Sequence, residues 1–355
     1  MEIAPSARSV VRVILNSVAG LLVAGASVLA FQSVGGYHLL KKIPLPAAEG
    51  GGEYFDYITF DAGTRRAYLS HGTEIEILDA GRGTVVGVIN GLKRAHGVAL
   101  VPDLGRGFIS DGAAAQAVIF DLKTLKTIGQ VKVDADADSI LYDPASKHIF
   151  VFSGESGSAT VIDPVKETVI DRLLLGGAPE QAVADGRGMI YDNLEDKNEV
   201  IALDSRSLEI KARWPVAPGG RPVSIAMDRQ RRRLFIGGRD PQSLVVMDAD
   251  SGKITGGPFP IGARVDTNVY DPATGMVASS TGDGTIQIFH EDSPDKLSVV
   301  ETVKTESGAK TMALDPRTHN LYVDTSDFET RAAAGGKQPQ PRAIPGTFRL
   351  LLYGR

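Results

Sequence analysis

The stretch ILYDPASKHIFV, residues 140–151, contains the pattern that decides the fold. A short apolar strand ends at Asp143, a polar turn follows, and a second apolar strand begins near Ile149. Asp143 and Pro144 suit a type I turn, because aspartate can bond the backbone ahead and proline presets φ. The stretch therefore predicts two strands joined by a tight turn, in which the aspartate has a structural rather than a catalytic role.

The same unit occurs seven times after residue 31, at intervals of 40 to 44 residues. A second series of strands ending in aspartate, such as the one that ends at Asp163, runs in phase with it. Each period thus contains four short strands, and no long helical periodicity interrupts them. Four-stranded units of about 40–45 residues predict an all-β, seven-bladed β-propeller. The anchor residues, which end the first strand of each blade, are Asp61, Val101, Asp143, Asp185, Asp228, Asp271 and Asp315.

The propeller is predicted to span residues 37–355 and to close by sharing its last blade between the two ends of the chain. The last repeat lacks an outer strand, and Tyr37–Leu45 resembles the outer strands of other repeats. Pairing of this N-terminal strand in blade 7 would remove the edges that an open ring exposes. Residues 326–346 break the repeat with a Gly- and Pro-rich run, and they are predicted to form a flexible surface loop within blade 7.

Residues 1–30 have the three parts of a secretory signal peptide. Arg8 and Arg12 precede an apolar run from Val13 to Phe31, whose end is rich in small residues. The alternative is an uncleaved inner-membrane anchor over residues 10–31, because the run is close to membrane-spanning length. Both interpretations predict a periplasmic or secreted propeller, which contacts the membrane only through this segment if it is uncleaved.

The composition excludes several classes of protein. The chain has 355 residues, of which 43% are hydrophobic, and it contains no cysteine. Disulfides, thiol catalysis and zinc–cysteine sites are therefore excluded. A net charge of −5 and an aromatic content of 6% disfavour nucleic-acid binding. The arginines of residues 229–233 fall in one hairpin turn and are expected to be solvated, and we expect the protein to be a monomer.

The repeats resemble those of the YVTN or YncE-like seven-bladed propellers of bacterial envelopes. The resemblance covers nearly all of residues 37–355, and it rests on the period, the Asp-Pro turns and units such as Leu314-Asp315-Pro316 followed by Leu321-Tyr322-Val323. Tyr322-Val323-Asp324-Thr325 is a degenerate form of the tetrapeptide that names the family. The resemblance implies an exported propeller, and it transfers no catalytic residue to this chain.

Five positions before each anchor lies a column of mainly ionisable residues, which opens the first strand of each blade. The first strands of a propeller line its central channel, so the column is predicted to form a ring at one channel mouth. Its members are Asp56, His96, Asp138, Glu180, Val223, Asp266 and Lys310. All of them except Val223 are candidate ligand-binding residues. A secondary rim is predicted from neighbouring polar residues, namely His71, Arg94, Ser224, Arg264 and Asn268.

Carboxylates and an imidazole suit a divalent cation, with Glu180 and Asp266 as candidate metal ligands. A polar, water-filled channel without a ligand is the other interpretation of the same ring. The leading hypothesis is a non-catalytic binding or scaffold protein that presents the ring to a small ligand, a cation or an envelope protein. The alternative is a metal-dependent, lactonase-like hydrolase, in which His96 is the acid–base group. A third hypothesis is a platform for protein assembly outside the cytoplasm.

Overall fold

The computed structural model describes residues 35–50, 53–330 and 341–355. The predicted signal peptide or anchor lies outside the described residues. Within the described ranges, no helix has the length and apolar character that crossing a membrane requires. The described chain forms seven antiparallel sheets of four strands each, which confirms the predicted seven-bladed propeller.

The inner strands of blades 1 to 7 begin the seven repeats and follow one another around a ring. They are β2 (Phe55–Asp61), β6 (Ala95–Val101), β10 (Ala137–Asp143), β14 (Pro179–Ala184), β18 (Pro222–Asp228), β22 (Val265–Asp271) and β26 (Met312–Asp315). Each inner strand contacts the next one, and β26 contacts β2, so the circle is closed. The second strands are β3 (Arg66–His71), β7 (Arg106–Asp111), β11 (His148–Ser153), β15 (Met189–Leu194), β19 (Arg233–Arg239), β23 (Met276–Thr281) and β27 (Asn320–Thr325).

The third and outer strands complete each blade. The third strands are β4 (Glu74–Asp79), β8 (Gln116–Asp121), β12 (Ser158–Asp163), β16 (Glu199–Asp204), β20 (Gln242–Asp248), β24 (Thr285–Ser293) and β30 (Arg349–Gly354). The outer strands are β5 (Thr84–Ile89), β9 (Thr127–Lys132), β13 (Thr168–Leu174), β17 (Glu209–Pro215), β21 (Ile254–Pro260), β25 (Lys296–Lys304) and β1 (His38–Pro44). Within the described residues, three 3-10 turns lie between strands, at Pro102–Leu104, Gly112–Ala114 and Glu195–Lys197.

Blade 7 joins the two ends of the chain, as predicted. Its strand order is β1-β30-β27-β26, and β1 pairs antiparallel with β30 from His38 opposite Gly354 to Pro44 opposite Arg349. The described parts of the predicted loop 326–346 include a short antiparallel pair, β28 (Phe328–Thr330) and β29 (Pro341–Ala343). Residues 331–340 lie outside the described residues.

The hydrophobic core of the described propeller consists of seven clusters, and each cluster lies between two neighbouring blades. The cluster at the closure, for example, packs Ile43 and Tyr322 of blade 7 against Leu69 of blade 1. Burial of apolar surface stabilises by about 25 cal/mol per Å², so every blade depends on both neighbours for its stability.

The anchor aspartates hold their own turns and also the next blade. Asp143 accepts backbone hydrogen bonds from Ala145 (3.3 Å) and Ser146 (2.9 Å), which confirms its predicted role in the turn. Its Oδ2 also accepts a bond of 2.5 Å from Ser205 Oγ in blade 4. In the described chain, five anchors accept such a bond from the following blade: Ser205 to Asp143, Arg232 to Asp185, Tyr270 to Asp228, His319 to Asp271 and Arg65 to Asp315.

The arginine-rich turn of blade 5 also links blades. All four arginines of residues 229–233 bond neighbouring blades in addition to meeting solvent. Their partners are Ala184 for Arg229, Glu291 for Arg231, Asp185 for Arg232 and Asp295 for Arg233. These guanidinium groups are therefore engaged within the fold, whereas the sequence predicted that they would simply be solvated.

Candidate functional site

In six of the seven blades, an irregularity of β-bulge type at the start of the inner strand positions the ring residue. In blade 1 the pairing of β2 with β3 shifts register between Phe55 and Ile58, and Asp56 lies in the unpaired interval. A bulge bends its strand and redirects the side chains of its unpaired residues. The same irregularity brackets the ring residues of five further blades, at positions 96, 138, 180, 223 and 266. In blade 7, Lys310 precedes β26.

The ring side chains face one another around the channel mouth. Tyr57, which adjoins Asp56, lies among them. Burial raises the pKa of this phenol well above its usual value, and so do the charges of four ring residues, namely Asp138, Asp56, Glu180 and Asp266. Val223 is the apolar member and is buried. The structure thus brings the ionisable residues of the column to the same end of the channel.

His96 lies between two carboxylates that come from the neighbouring blades. Its Nδ1 is 2.8 Å from Asp56 Oδ2 and 2.9 Å from Asp138 Oδ1. Nδ1 carries at most one hydrogen, and the contact with Asp56 has hydrogen-bond geometry whereas Asp138 Oδ1 has no hydrogen-bond partner. Two carboxylate oxygens therefore converge on a single ring nitrogen.

Tyr54 completes this group from the segment before β2. Its hydroxyl donates to Asp56 Oδ2 at 2.7 Å and lies 3.1 Å from His96 Nδ1. The guanidinium carbon of Arg94 lies over the Tyr54 ring, 4.3 Å from its centroid, at cation–π distance. We refer to Tyr54, Asp56, His96 and Asp138 as the His96 cluster.

Burial and charge give the groups of the His96 cluster different pKa values. Burial alone would raise the pKa of Asp56, but the hydrogen bond from His96 and the charge of Lys310 outweigh it, so the pKa is lowered. Burial raises the pKa of Asp138, and His96 offsets this rise only in part. Burial favours neutral His96, but the two carboxylates beside its Nδ1 outweigh this effect and raise its pKa to about 9. Asp56 is therefore the firmly ionised carboxylate of the pair.

On the other side of the ring, Asp266 is held by two cations. Its Oδ1 accepts a bond from Arg239 Nη2 at 3.0 Å, and its Oδ2 accepts one from Lys310 Nζ at 2.9 Å. Burial lowers the pKa of Lys310, but the charges of Asp266 and Asp56 outweigh this effect and raise it. Both oxygens of Asp266 are thus paired with cationic side chains.

The pKa of Glu180 responds to charges on both sides of the ring, since Asp138 and Asp266 both raise it. Burial, and then the charge of Asp138, raise its pKa to about 9, so it is a neutral acid at pH 7. Asp192 and Asp324 lie on the second strands, are fully buried and have no hydrogen-bond partner for either carboxylate oxygen. Burial raises the pKa of both well above the usual range. Burial therefore favours the protonated form of all three carboxyl groups.

The predicted secondary rim is dispersed. Arg94 reaches the His96 cluster through Tyr54. Ser224 and Asn268 are buried in inner strands, where Asn268 Nδ2 donates to the carbonyl of Phe235 at 3.1 Å. The Arg264 guanidinium bonds the carbonyl of Gly282 within its own blade.

His71 belongs to a separate buried group in blade 1. Its Nε2 lies 2.6 Å from Glu53 Oε2, and its Nδ1 lies 3.2 Å from Glu76 Oε1. The other oxygen of Glu53 accepts a bond of 2.9 Å from the backbone N–H of Gly346. Burial lowers the pKa of His71, but the hydrogen bonds that its ring donates to Glu76 and Glu53 outweigh this effect, so the pKa is raised. His71 therefore joins blade 1 to the C-terminal segment of blade 7.

Two groups in the described chain place three possible metal-ligand atoms within 4.8 Å of one another. The first group consists of His71, Glu74 and Glu76. Both ring nitrogens of His71 already have a carboxylate partner, since Glu76 contacts Nδ1 and Glu53, which lies outside the group, contacts Nε2. In the His96 cluster, two carboxylates compete for one nitrogen. Glu180 and Asp266, the predicted metal ligands, belong to neither group.

Three residues of the site were not predicted from the sequence, namely Tyr54, Tyr57 and Arg239. The two tyrosines flank Asp56 within two positions, so a search around the ring column would have found them. Arg239 carries no such signal, because it reaches Asp266 from the preceding blade, 27 residues away in the chain.

The fold and the ring define this chain as a seven-bladed propeller with an ionisable channel mouth. A chain of the mitotic checkpoint complex is similar to it with 15% identity and a TM-score of 0.71, over 90% of this chain and 94% of that one. The WD40 repeats of RRP9 match with 9% identity and a TM-score of 0.71, over 89% and 97% of the two chains. A chain of hydrazine synthase from Kuenenia stuttgartiensis matches with 12% identity and a TM-score of 0.67, over 77% and 92%.

At these identities the similarity establishes the fold alone. No protein-family model matches the chain, and no curated protein matches it.

Proposed function

We propose that this protein is a non-catalytic binding propeller that captures a positively charged ligand at its channel mouth. The observation that carries the proposal is the uneven distribution of charge around the ring. Asp266 is paired with two cations, whereas Asp56 and Asp138 share one imidazole. The His96 cluster therefore has unmet capacity for positive charge.

Partial burial strengthens the attraction between these carboxylates and a cation. Asp56 is 8% exposed and His96 is 3% exposed, so water screens their charges weakly. The Asp138 side chain is 25% exposed although its Oδ1 beside His96 is buried, so a ligand would approach through the exposed part of this side chain. Buried charges are normally paired or bound to a metal, and a ligand cation would supply the missing partner.

Native mass spectrometry of the protein purified from its own host tests the proposal. We expect the wild-type protein to retain a cationic species that the Asp56→Asn/Asp138→Asn variant has lost. The matched control is Asp250→Asn, which removes an exposed carboxylate far from the ring and should retain the same species. Retention of the same species by the double variant, or its absence from the wild-type protein, would contradict the proposal.

A metal-dependent hydrolase is the second candidate, and the protonated state of Glu180 favours it. A carboxylic acid with a pKa of about 9 beside a cation-binding carboxylate can serve as a proton donor at neutral pH. In that case the purified protein should hydrolyse members of a lactone panel, and Glu180→Gln should abolish turnover without changing the melting temperature. Absence of turnover across the panel would remove this candidate.

A platform for protein partners is supported by apolar surface at the outer edges of the blades. Val86 and Val88 of β5 are 40% and 42% exposed, and they line a groove of about 440 Å³ together with Thr124–Thr127. The similar chain of the mitotic checkpoint complex belongs to a multiprotein assembly. A partner that binds here would be unaffected by neutralisation of the ring but would be lost in a Val86→Asp/Val88→Asp variant.

We further propose that the protein is a YncE-like propeller that works in the periplasm or outside the cell. Support comes from the repeat units, from Arg8 and Arg12, and from the apolar run that follows them. Fractionation of the host, with mass determination of the mature N-terminus, would distinguish a cleaved signal from an anchor. Recovery of the full-length protein in the cytoplasmic fraction would contradict export.

A further inference from the structure

We propose that the cation of the His96 cluster is a divalent transition-metal ion, bound by Asp56 Oδ2, His96 Nδ1 and Asp138 Oδ1. The inference rests on the proposed cation-binding function and names the ligand class of the same site. A carboxylate pair with one imidazole is a donor set that suits ions such as Mn²⁺ or Zn²⁺.

The geometry around Nδ1 carries this inference. Three oxygens lie within 2.8–3.1 Å of this nitrogen, yet it can offer only one hydrogen. One hydrogen serves Asp56, which leaves Asp138 Oδ1 without a partner. A metal ion in place of that hydrogen would satisfy both carboxylates and the nitrogen at once.

The two separations that involve Nδ1 also fit the bond lengths of such an ion. Two donor atoms that lie 2.8–2.9 Å apart subtend about 90° at an ion roughly 2.0–2.1 Å from each. This is the angle between adjacent ligands of an octahedral ion. Because Asp138 is partly exposed, the remaining positions of the ion would face the channel.

The surroundings hold His96 in the required orientation. A Cβ atom at Gly112 would lie 2.8 Å from His96 Nε2 and 2.9 Å from the Ala137 carbonyl oxygen, so a glycine is needed for the ring to fit. Tyr54 donates to the same Asp56 oxygen and fixes its carboxylate. This hydrogen bond to a ligand oxygen is the kind of outer contact that orients metal ligands.

Titration of the chelator-treated full-length protein with Mn²⁺ and with Zn²⁺, followed by calorimetry, tests the inference. We expect one ion per chain, with binding weakened at least about tenfold in Asp138→Asn and in His96→Gln. His319→Gln is the matched control, since His319 also contacts an aspartate, Asp271, at 2.7 Å but lies at the opposite end of the strands. The control should bind both ions as the wild-type protein does.

A second measurement does not depend on the folding of a variant. Substoichiometric Mn²⁺ should broaden the imidazole NMR signals of His96 in the wild-type protein before those of the exposed His290. Equal affinity of wild-type and Asp138→Asn proteins, or no binding of either metal at millimolar concentration, would overturn the metal assignment. If the protein then still retains an organic cation that Asp56→Asn/Asp138→Asn loses, the proposed cation-binding function survives without the metal.

Discussion

The anchor aspartates show how one side chain can serve both a turn and an interface. Asp315 is fully buried, accepts the backbone N–H of Arg317 at 3.0 Å and bonds Arg65 of blade 1 at 2.6 Å. Burial raises the pKa of Asp315, but these hydrogen bonds outweigh it and the pKa is lowered. Asp61 holds only its own turn in the described structure, through Gly63 and Thr64.

This difference predicts unequal losses of stability. Asp315→Ala should lower the free energy of unfolding by about 2–4 kcal/mol, because it removes charged hydrogen bonds and leaves Arg65 without its partner. Asp61→Ala should cost about 1 kcal/mol, since only turn bonds are lost. Equilibrium unfolding in urea measures both values. Equal losses in the two variants would show that the link between blades adds no stability.

At the scale of the strand, the bulge explains how a regular repeat produces a ring of ionisable residues. A residue that lies outside regular pairing can turn its side chain into the channel while the rest of the strand keeps its alternation. The network of Glu53, His71 and Glu76 has another role at this scale. Its ion pairs, together with the bond from Gly346 to Glu53, join the end of β3 to a distant segment of the chain.

The His71 network predicts a pH-dependent stability. The pKa of His71 is raised in the folded protein. Protonated His71 therefore contributes fully to the free energy of unfolding below its unfolded pKa of about 6.5. This contribution is lost as the pH rises through the folded pKa. The melting temperature of the wild-type protein should therefore exceed that of His71→Gln most near pH 6, and the difference should shrink in alkaline buffer. His290→Gln, which alters an exposed ion pair, should change little at either pH. A difference for His71→Gln that grows with pH would contradict this assignment.

At the scale of the molecule, stability depends on the pairing of β1 with β30. Ile43 of β1 is 5% exposed and packs in the cluster between blades 7 and 1, whereas Leu40 of the same strand is 46% exposed. Both residues belong to the strand that closes the ring. A substitution at Ile43 therefore tests the packing of the closing interface, and the same substitution at Leu40 shows the effect of changing an exposed residue of that strand.

Ile43→Ala should lower the free energy of unfolding by about 2–5 kcal/mol, because it leaves a cavity in the closing interface. Leu40→Ala should stay within about 0.5 kcal/mol of the wild-type value. Thermal unfolding, with size-exclusion chromatography to detect opened or associated rings, measures both. A loss in Leu40→Ala as large as that in Ile43→Ala would show that burial in the closing interface does not determine stability.

The fold could be predicted because its determinants are local and repeated. Each blade carries its own turn signal, such as Asp143-Pro144, so seven weak signals reinforce one another. The ring column could also be located, since its members keep a fixed distance from the anchors. The pairing of charges could not, because it depends on side chains that meet across blades. Arg239 thus pairs with Asp266, and His71 lies with Glu53 rather than with the ring.

The strand order of blade 7 has a consequence for biosynthesis. His38–Pro44 leaves the ribosome long before Arg349–Gly354, its only sheet neighbour in the described chain. During that interval the nascent polypeptide can form the intervening blades, but β1 has no pairing partner until β30 is synthesised. Products of premature termination or of C-terminal trimming would lack that partner and stay open to proteases. Closure of the ring therefore requires a chain that has been translated at least as far as Gly354.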